Sequence, residues 1–313
     1  MMSGLVPCQT SNKGNAMPVD LAVVPVAGRG TRMLPITKSQ PKEMLAVGTK
    51  PVVQYVAEEL EQSGVRRMVL VTGPGKTAIE NHFDIDAGLI AALRENGQES
   101  LLNKLAFERM QLEYIYMRQR RQLGLGHAIL CARPVVVEQP FVVALGDSII
   151  GVHAESKIVA QMTELFEQQE ADGVIAFERV PRSEVVHYGI ADVGAERDNY
   201  FELADLVEKP GVDEAPSDLA VAARYVFKAE LFDYLEKTGA GKGNEIQLTD
   251  AISMWIRDGG RVLGVQLDAS EPRFDIGNFP SYFRAFFEFA ACDPEHGEEF
   301  RSFARSYLDE AEG

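Results

Sequence analysis

Cysteine is scarce and positive charge is in deficit. The 313 residues hold three cysteines, Cys8, Cys131 and Cys292, scattered and odd in number, which argues against a disulfide framework and for a reducing, cytoplasmic compartment. The five histidines form no ligand-like spacing with them, so a structural zinc site is not expected. Lys and Arg number 31 against 47 Asp and Glu, a formal net charge of −16, and nucleic acid or anionic lipid would repel such a chain. No run approaches the roughly 18 continuous apolar residues of a membrane span. Internal repeats, low-complexity tracts and linker-like stretches are also missing. What remains, at 46% hydrophobic residues, is an ordinary globular chain that acts on small molecules.

The elements alternate. Apolar β-branched runs at 21–26, 67–71, 112–117, 141–145 and 173–177 read as buried strands. Helical patterns lie between them: one opened by Pro51 and closed by Gly64, two over about 76–110, one from near Gly126, and one near 155–169. This order predicts an α/β fold with a mixed, mostly parallel sheet and helices on both faces. The second half changes character, with "YGIADV", "ELADLVEKP" and "AVAARYVF" extending the sheet before a helix at "NEIQLTDAISMWIRDGG" and a strand at "RVLGVQL". Segment 209–219 reads as a surface loop. Residues 1–18 are polar and read as a disordered leader, with Met17 a second possible start. The C-terminal "EHGEEFRSFARSYLDEAEG" reads as a solvated amphipathic helix.

Three constellations carry chemistry. After the first strand, "AGRGTRMLPITKSQPKEML" places Gly28 and Gly30 in a tight turn, and the stretch 29–50 sets Arg29, Arg32, Lys38, Lys42 and Lys50 against the single acid Glu43. That reverses the balance of the whole chain and suits a phosphate-binding turn, where backbone N–H groups approach an anion closely. Two better-known phosphate motifs fail here. The dinucleotide fingerprint needs a third glycine where Met33 stands, and "GPGKT" lacks the first glycine of a P-loop, which falls on Leu70. Second, Asp147 lies just beyond a strand end, where ligands collect in open α/β sheets, and Asp275 in "RFDIG" follows a late strand. Each carboxylate either caps a local segment or holds Mg²⁺ against phosphate oxygens. Third, Lys209 precedes Pro210 in "VEKP", which predicts an extended backbone at the lysine. Glu208 beside it can accept from sugar hydroxyls.

"GRGTRMLPITKSQPKEML", "KPVVQYVAEEL", "LGLGHAI", "YGI", "VEKP", "ARYVF" and "NEIQLTDAI", in this order, resemble the bacterial UTP–glucose-1-phosphate uridylyltransferases, over about residues 19–290. "PKEML" and "EIQLTDAI" point to that group rather than to its thymidylyltransferase relatives. The resemblance implies a nucleotide-diphospho-sugar transferase fold over 19–290, a helical tail over 291–313, and transfer from UTP to glucose-1-phosphate with pyrophosphate released. It implies that Ala27, Gly28 and Gly30 wrap the nucleotide, that Arg32 and Lys42 face the departing pyrophosphate, and that Glu43 lies near the nucleoside. Gln119 and Gly124 would read the pyrimidine edge. Gly189, Glu208 and Lys209 would contact the sugar phosphate, and Asp147 and Asp275 would hold Mg²⁺. A homo-oligomer, dimer or tetramer, is implied as well. Ala46 and Ser148 depart from the family pattern; the first loosens a turn and the second alters the surroundings of the metal. His127 is expected to pack or to cap its helix rather than to catalyse. The alternatives are a thymidylyl- or adenylyl-transferring relative and a non-catalytic sugar-nucleotide sensor.

Overall fold

The computed structural model describes residues 17–311, so the expected leader lies outside the described residues except for positions 17 and 18. Nine strands form the main sheet: β1 (Leu21–Pro25), β2 (Arg67–Thr72), β3 (Glu113–Arg118), β4 (Phe141–Ala144), β5 (Gly173–Arg179), β6 (Gly189–Glu196), β7 (Phe201–Glu208), β8 (Leu219–Phe227) and β9 (Val262–Gln266). Their spatial order is β3-β2-β1-β4-β8-β5-β9-β7-β6. β1 pairs in parallel with β2 and β4, β2 with β3, and β5 with β9. β8 and β7 run against their neighbours, and the other strands share one direction.

β1 shows why the strands read as near-continuous apolar runs. Ala22 and Val24 face one core with Val53, Val56 and Leu60 of the helix Val52–Gln62, while Leu21 and Val23 face another with Ile129, Leu235 and Ile252. Both sides of the strand are covered by helices, so both side-chain sets must be apolar. Burying each valine, leucine or isoleucine among them contributes about 1.5–3 kcal/mol.

Two short ribbons and a third core fix the cleft to this frame. Ser148–Ile150 pairs antiparallel with Arg273–Asp275, and Ala46–Val47 with Lys50–Pro51. Met33, Leu45, Val47, Ile149, Phe274 and Phe289 pack together beneath them. Phe289 belongs to the helix Phe279–Cys292, which the sequence reading does not separate from the surrounding chain. Asn278 starts it, its side chain accepting from the Ser281 N–H at 3.1 Å, a standard N-cap. The boundary expected at 290–291 therefore falls within a continuous helix. The tail does form the helix Gly297–Ala311.

Candidate functional site

β1, β2 and β4 lie parallel, so the segments leaving their carboxyl ends gather at one edge. The order β3-β2-β1-β4 reverses direction between β1 and β4, and the crevice above that point is where an open sheet binds ligands. Two polar cavities occupy it. The first, about 670 Å³, is lined by Ala27, Gly28, Gly30, Arg32, Lys42, Glu43, Gln119, Gly124 and Asp147. The second, about 440 Å³, is lined by Arg32, Asp147, Gly189, Glu208, Lys209 and Asp275, with Tyr188, Thr249 and Arg273 among their neighbours. Arg32 and Asp147 belong to both. Every site residue proposed from the sequence therefore borders this one cleft.

The first cavity is shaped largely by backbone. Gly30 adopts φ +65°, and the Thr37 hydroxyl donates to its carbonyl at 2.7 Å, holding the turn. Gln122 Nε2 donates to the Ala27 carbonyl at 2.6 Å, and Arg29 in turn donates to Gln122. Gln119 leaves the end of β3 almost fully buried, and its Nε2 donates to the Gly124 carbonyl at 3.1 Å. Gly124 has φ +97°, and a Cβ there would fall 2.7 Å from Glu245 Cβ and 2.9 Å from the Ile246 carbonyl oxygen. Only glycine lets the 119–126 loop lie against that segment.

Charge concentrates where the cavities meet. Lys42 forms an ion pair with Asp147. Burial pulls the Lys42 pKa down, but Asp147, Glu43 and Asp275 outweigh it and raise it above the usual value. Burial pushes Asp147 up, and the charges of Lys42 and Arg32 reverse that, so its carboxyl sits below the usual carboxylate range. Asp275 is held above that range by burial and by the charge of Asp147, with Arg273, Lys42 and Arg32 offsetting only part. The Ile276 N–H donates to the Asp147 carbonyl at 2.9 Å, and Asp275 pairs with Ser148 in the ribbon register. A Cβ on Gly277 would lie 2.9 Å from Arg32 Nη2 and 3.0 Å from Asp275 Oδ2, so both groups flank one point.

Among the described residues no cluster of three or more His, Cys, Asp and Glu suited to a metal occurs. Two mutually repelling carboxylates lining the second cavity nevertheless suit Mg²⁺, which takes one or two carboxylates and completes its shell with phosphate oxygens and water. The buried Ser148 hydroxyl, which has no hydrogen-bond partner, lines the same cavity and leaves a further oxygen there.

The second cavity corrects one expectation. Lys209 is not extended: its φ is +47°, in the left-handed region, although Pro210 follows it. Its N–H is tied to the Tyr188 carbonyl at 2.9 Å, beside the Gly189–Glu208 pair at the open end of the β6–β7 hairpin. That bond and the hairpin override the local preference, at a strain of about 1–3 kcal/mol. The ammonium pairs with Glu208 Oε1 at 2.7 Å, and the Thr249 hydroxyl donates to Glu208 Oε2 at 2.7 Å.

Sequence reasoning missed several supports. Lys76, in the failed P-loop "GPGKT", is buried and donates to the buried Glu43 at 2.7 Å. Burial raises the Glu43 pKa, and Lys76 and Lys42 offset part of that. A lysine following Pro-Gly at a strand end was the available signal. Arg224, in "ARYVF", is fully buried; its Nη2 donates to Glu59 at 2.6 Å and to the Ser148 carbonyl at 2.9 Å. It thereby anchors the residue after Asp147. His127 lies inside the helix Leu125–Leu130 and does not cap it; its Nδ1 lies 2.9 Å from Gln119 Nε2.

The family model described as "Nucleotidyl transferase" matches residues 21–291. The UTP–glucose-1-phosphate uridylyltransferase of Staphylococcus epidermidis is 39% identical over 284 residues, covering 91% of this chain and 96% of that protein. The structure of a UTP-bound UGPase from Acinetobacter baumannii superposes with a TM-score of 0.83 at 36% identity, covering 91% of this chain and 98% of that one. A UDP-glucose pyrophosphorylase complexed with UDP-glucose superposes with a TM-score of 0.78 at 34% identity, covering 87% and 98%.

Proposed function

The chain belongs to the nucleotidyl transferase family, and from that premise we propose that its cleft joins UTP to glucose-1-phosphate, yielding UDP-glucose and pyrophosphate. One observation carries the reading: a cavity with Gln119 and a second cavity with Glu208 and Lys209 touch at Arg32 and Asp147.

Gln119 and Gly124 read the pyrimidine edge, and Glu43 lies beside the nucleoside. The turn Ala27, Gly28, Gly30 follows the triphosphate, and Arg32 and Lys42 neutralise the departing pyrophosphate. Gly189 and Glu208 hold the sugar, and Lys209 neutralises its phosphate. An oxygen of that phosphate attacks the α-phosphorus of UTP as the bond to the pyrophosphate oxygen breaks. The attacking phosphate is already ionised, so no general base is required. The chain's task is to hold two polyanions in line and cancel their repulsion. A divalent cation, Mg²⁺, held by Asp147 and Asp275, supplies further positive charge to the phosphate oxygens when bound.

Among the described residues no helix is long and apolar enough to cross a membrane, and both described cysteines are free. We place the reaction in the cytoplasm. Two copies pair through the last two helices, where Phe283, Phe286, Phe287, Phe303 and Tyr307 are each at least 40% exposed. At about 150–250 Å² per ring, that leaves an apolar face approaching half a standard interface. Phe303→Glu is expected to convert a dimer to a monomer by light scattering; an unchanged mass would refute the interface.

Pyrophosphate release with glucose-1-phosphate and Mg²⁺, measured with UTP, dTTP, ATP, CTP and GTP, tests the whole reading. UTP should be preferred. Preference for dTTP would reassign the nucleotide, and silence with all five would leave a sensor.

A further inference from the structure

The buried amide of Gln119 has only one reading that satisfies its neighbours. Its Nε2 lies 3.1 Å from the Gly124 carbonyl oxygen and 2.9 Å from His127 Nδ1. A backbone carbonyl can only accept, so the end of the amide that meets it must be the NH₂. The second N–H then points at His127, whose Nδ1 must be the bare acceptor, with the ring proton on Nε2. The Cys131 thiol, 3.9 Å from the same Nδ1, can donate to it and cannot supply a competing acceptor of comparable strength. Burial lowers the His127 pKa, which keeps the ring neutral and that lone pair available. Both donors of Gln119 are therefore used within the protein. Its Oε1 has no donor among the described residues and is left as an acceptor on a residue lining the first cavity.

We propose that His127 is the positioning residue for base selection: by accepting a hydrogen bond from the second Gln119 N–H it locks the amide so that an acceptor faces the nucleobase. Uracil presents N3–H, a donor, to such an acceptor. Cytosine presents a lone pair at N3, and two lone pairs repel. Without the His127 acceptor one of the two anchors of the amide is lost, and only the Gly124 carbonyl opposes the turn that offers its NH₂ to the pocket, which suits cytosine instead. A site built around one hydrogen-bond polarity rejects the opposite one because the buried group is left unpaired. This inference rests on the proposed role of Gln119 in reading the pyrimidine.

The test is the ratio of kcat/KM for UTP to that for CTP, read by pyrophosphate release with the full chain. His127→Leu removes the acceptor; His127→Asn restores one close to the position of Nδ1; His127→Phe serves if the leucine variant does not fold. The ratio is expected to fall about tenfold in the Leu or Phe variant, chiefly through a higher KM for UTP, and to stay within about threefold of the parent in the Asn variant. An unchanged ratio in the Leu or Phe variant overturns the proposal, as does an equal loss in the Asn variant, which would assign the effect to packing. Gln119→Leu separates the two layers. If it collapses the ratio while His127→Leu does not, base reading by Gln119 stands and the role of His127 falls. If the parent enzyme does not prefer UTP to CTP, or Gln119→Leu leaves the ratio intact, the reading of the base falls first.

Discussion

The two cavities of the cleft are built by opposite means. The nucleotide side is made largely from loops at the ends of parallel strands, and much of its surface is backbone: the Gly28–Gly30 turn, the Ala27 carbonyl held by Gln122, and the Gly124 carbonyl held by Gln119. The sugar side is made from single residues brought in by several elements. Gly189 and Glu208 come from a hairpin, Thr249 from a helix, and Arg273 and Asp275 from a ribbon. Its working groups are side chains already engaged with one another, as Lys209 and Thr249 are with Glu208. Backbone walls give shape that tolerates many side chains but few changes of dihedral angle. Side-chain walls give charge, which a single substitution can remove.

This contrast also sets what the sequence could reveal. The nucleotide turn is legible because its residues are neighbours in the chain, and because a basic glycine-rich run stands out in a chain of net charge −16. The alternation of apolar runs and helical patterns likewise reads through to the α/β sheet. On the sugar side local physics offered Glu208, Lys209 and Asp275 only as candidates, and the family motifs decided for them and added Gly189, since nothing in "VEKP" or "RFDIG" alone distinguishes a site from a surface loop. Three features stayed hidden for one reason: each depends on a distant partner. Glu59 and Arg224 form a fully buried pair across 165 positions. Lys76 finds Glu43 across 33 positions. Lys209 takes φ +47° because Tyr188 holds its N–H, whereas the following proline alone predicts extension.

The residues shared by both cavities should be the most sensitive. Asp147→Asn keeps the shape of the junction and removes one negative charge from it. It should lower kcat by about 10³, the upper range for losing one electrostatic stabiliser, with the far-ultraviolet circular dichroism unchanged. Activity within about tenfold of the parent would mean that Asp147 is not the residue joining the two halves.

Lys209→Ala tests the side-chain wall. The lysine is partly exposed and its removal opens no core, so thermal stability should hold while turnover falls roughly a hundredfold at saturating substrate. The loss should appear with both substrates saturating, because the charge is needed as the phosphates approach and not only for binding. Near-normal turnover would remove Lys209 from the chemistry.

Gly124→Ala tests the backbone wall, with the smallest expected effect of the three. The added Cβ would meet Glu245 Cβ at 2.7 Å and the Ile246 carbonyl oxygen at 2.9 Å, at a residue whose φ of +97° already disfavours a side chain. The loop cannot absorb this by rotating a side chain, because one contact is to backbone. It must lift from the Glu245–Ile246 segment, which loosens the Gly126 N–H bond to the Ile246 carbonyl, 2.9 Å, and moves the carbonyl that Gln119 uses. Neither Glu208 nor Lys209 is touched by the added carbon. The KM for UTP should therefore rise about tenfold, while that for glucose-1-phosphate changes by less than about twofold. Equal increases in both constants would show that the two cavities move as one body, because Glu245, the residue struck by the new methyl group, lines both of them.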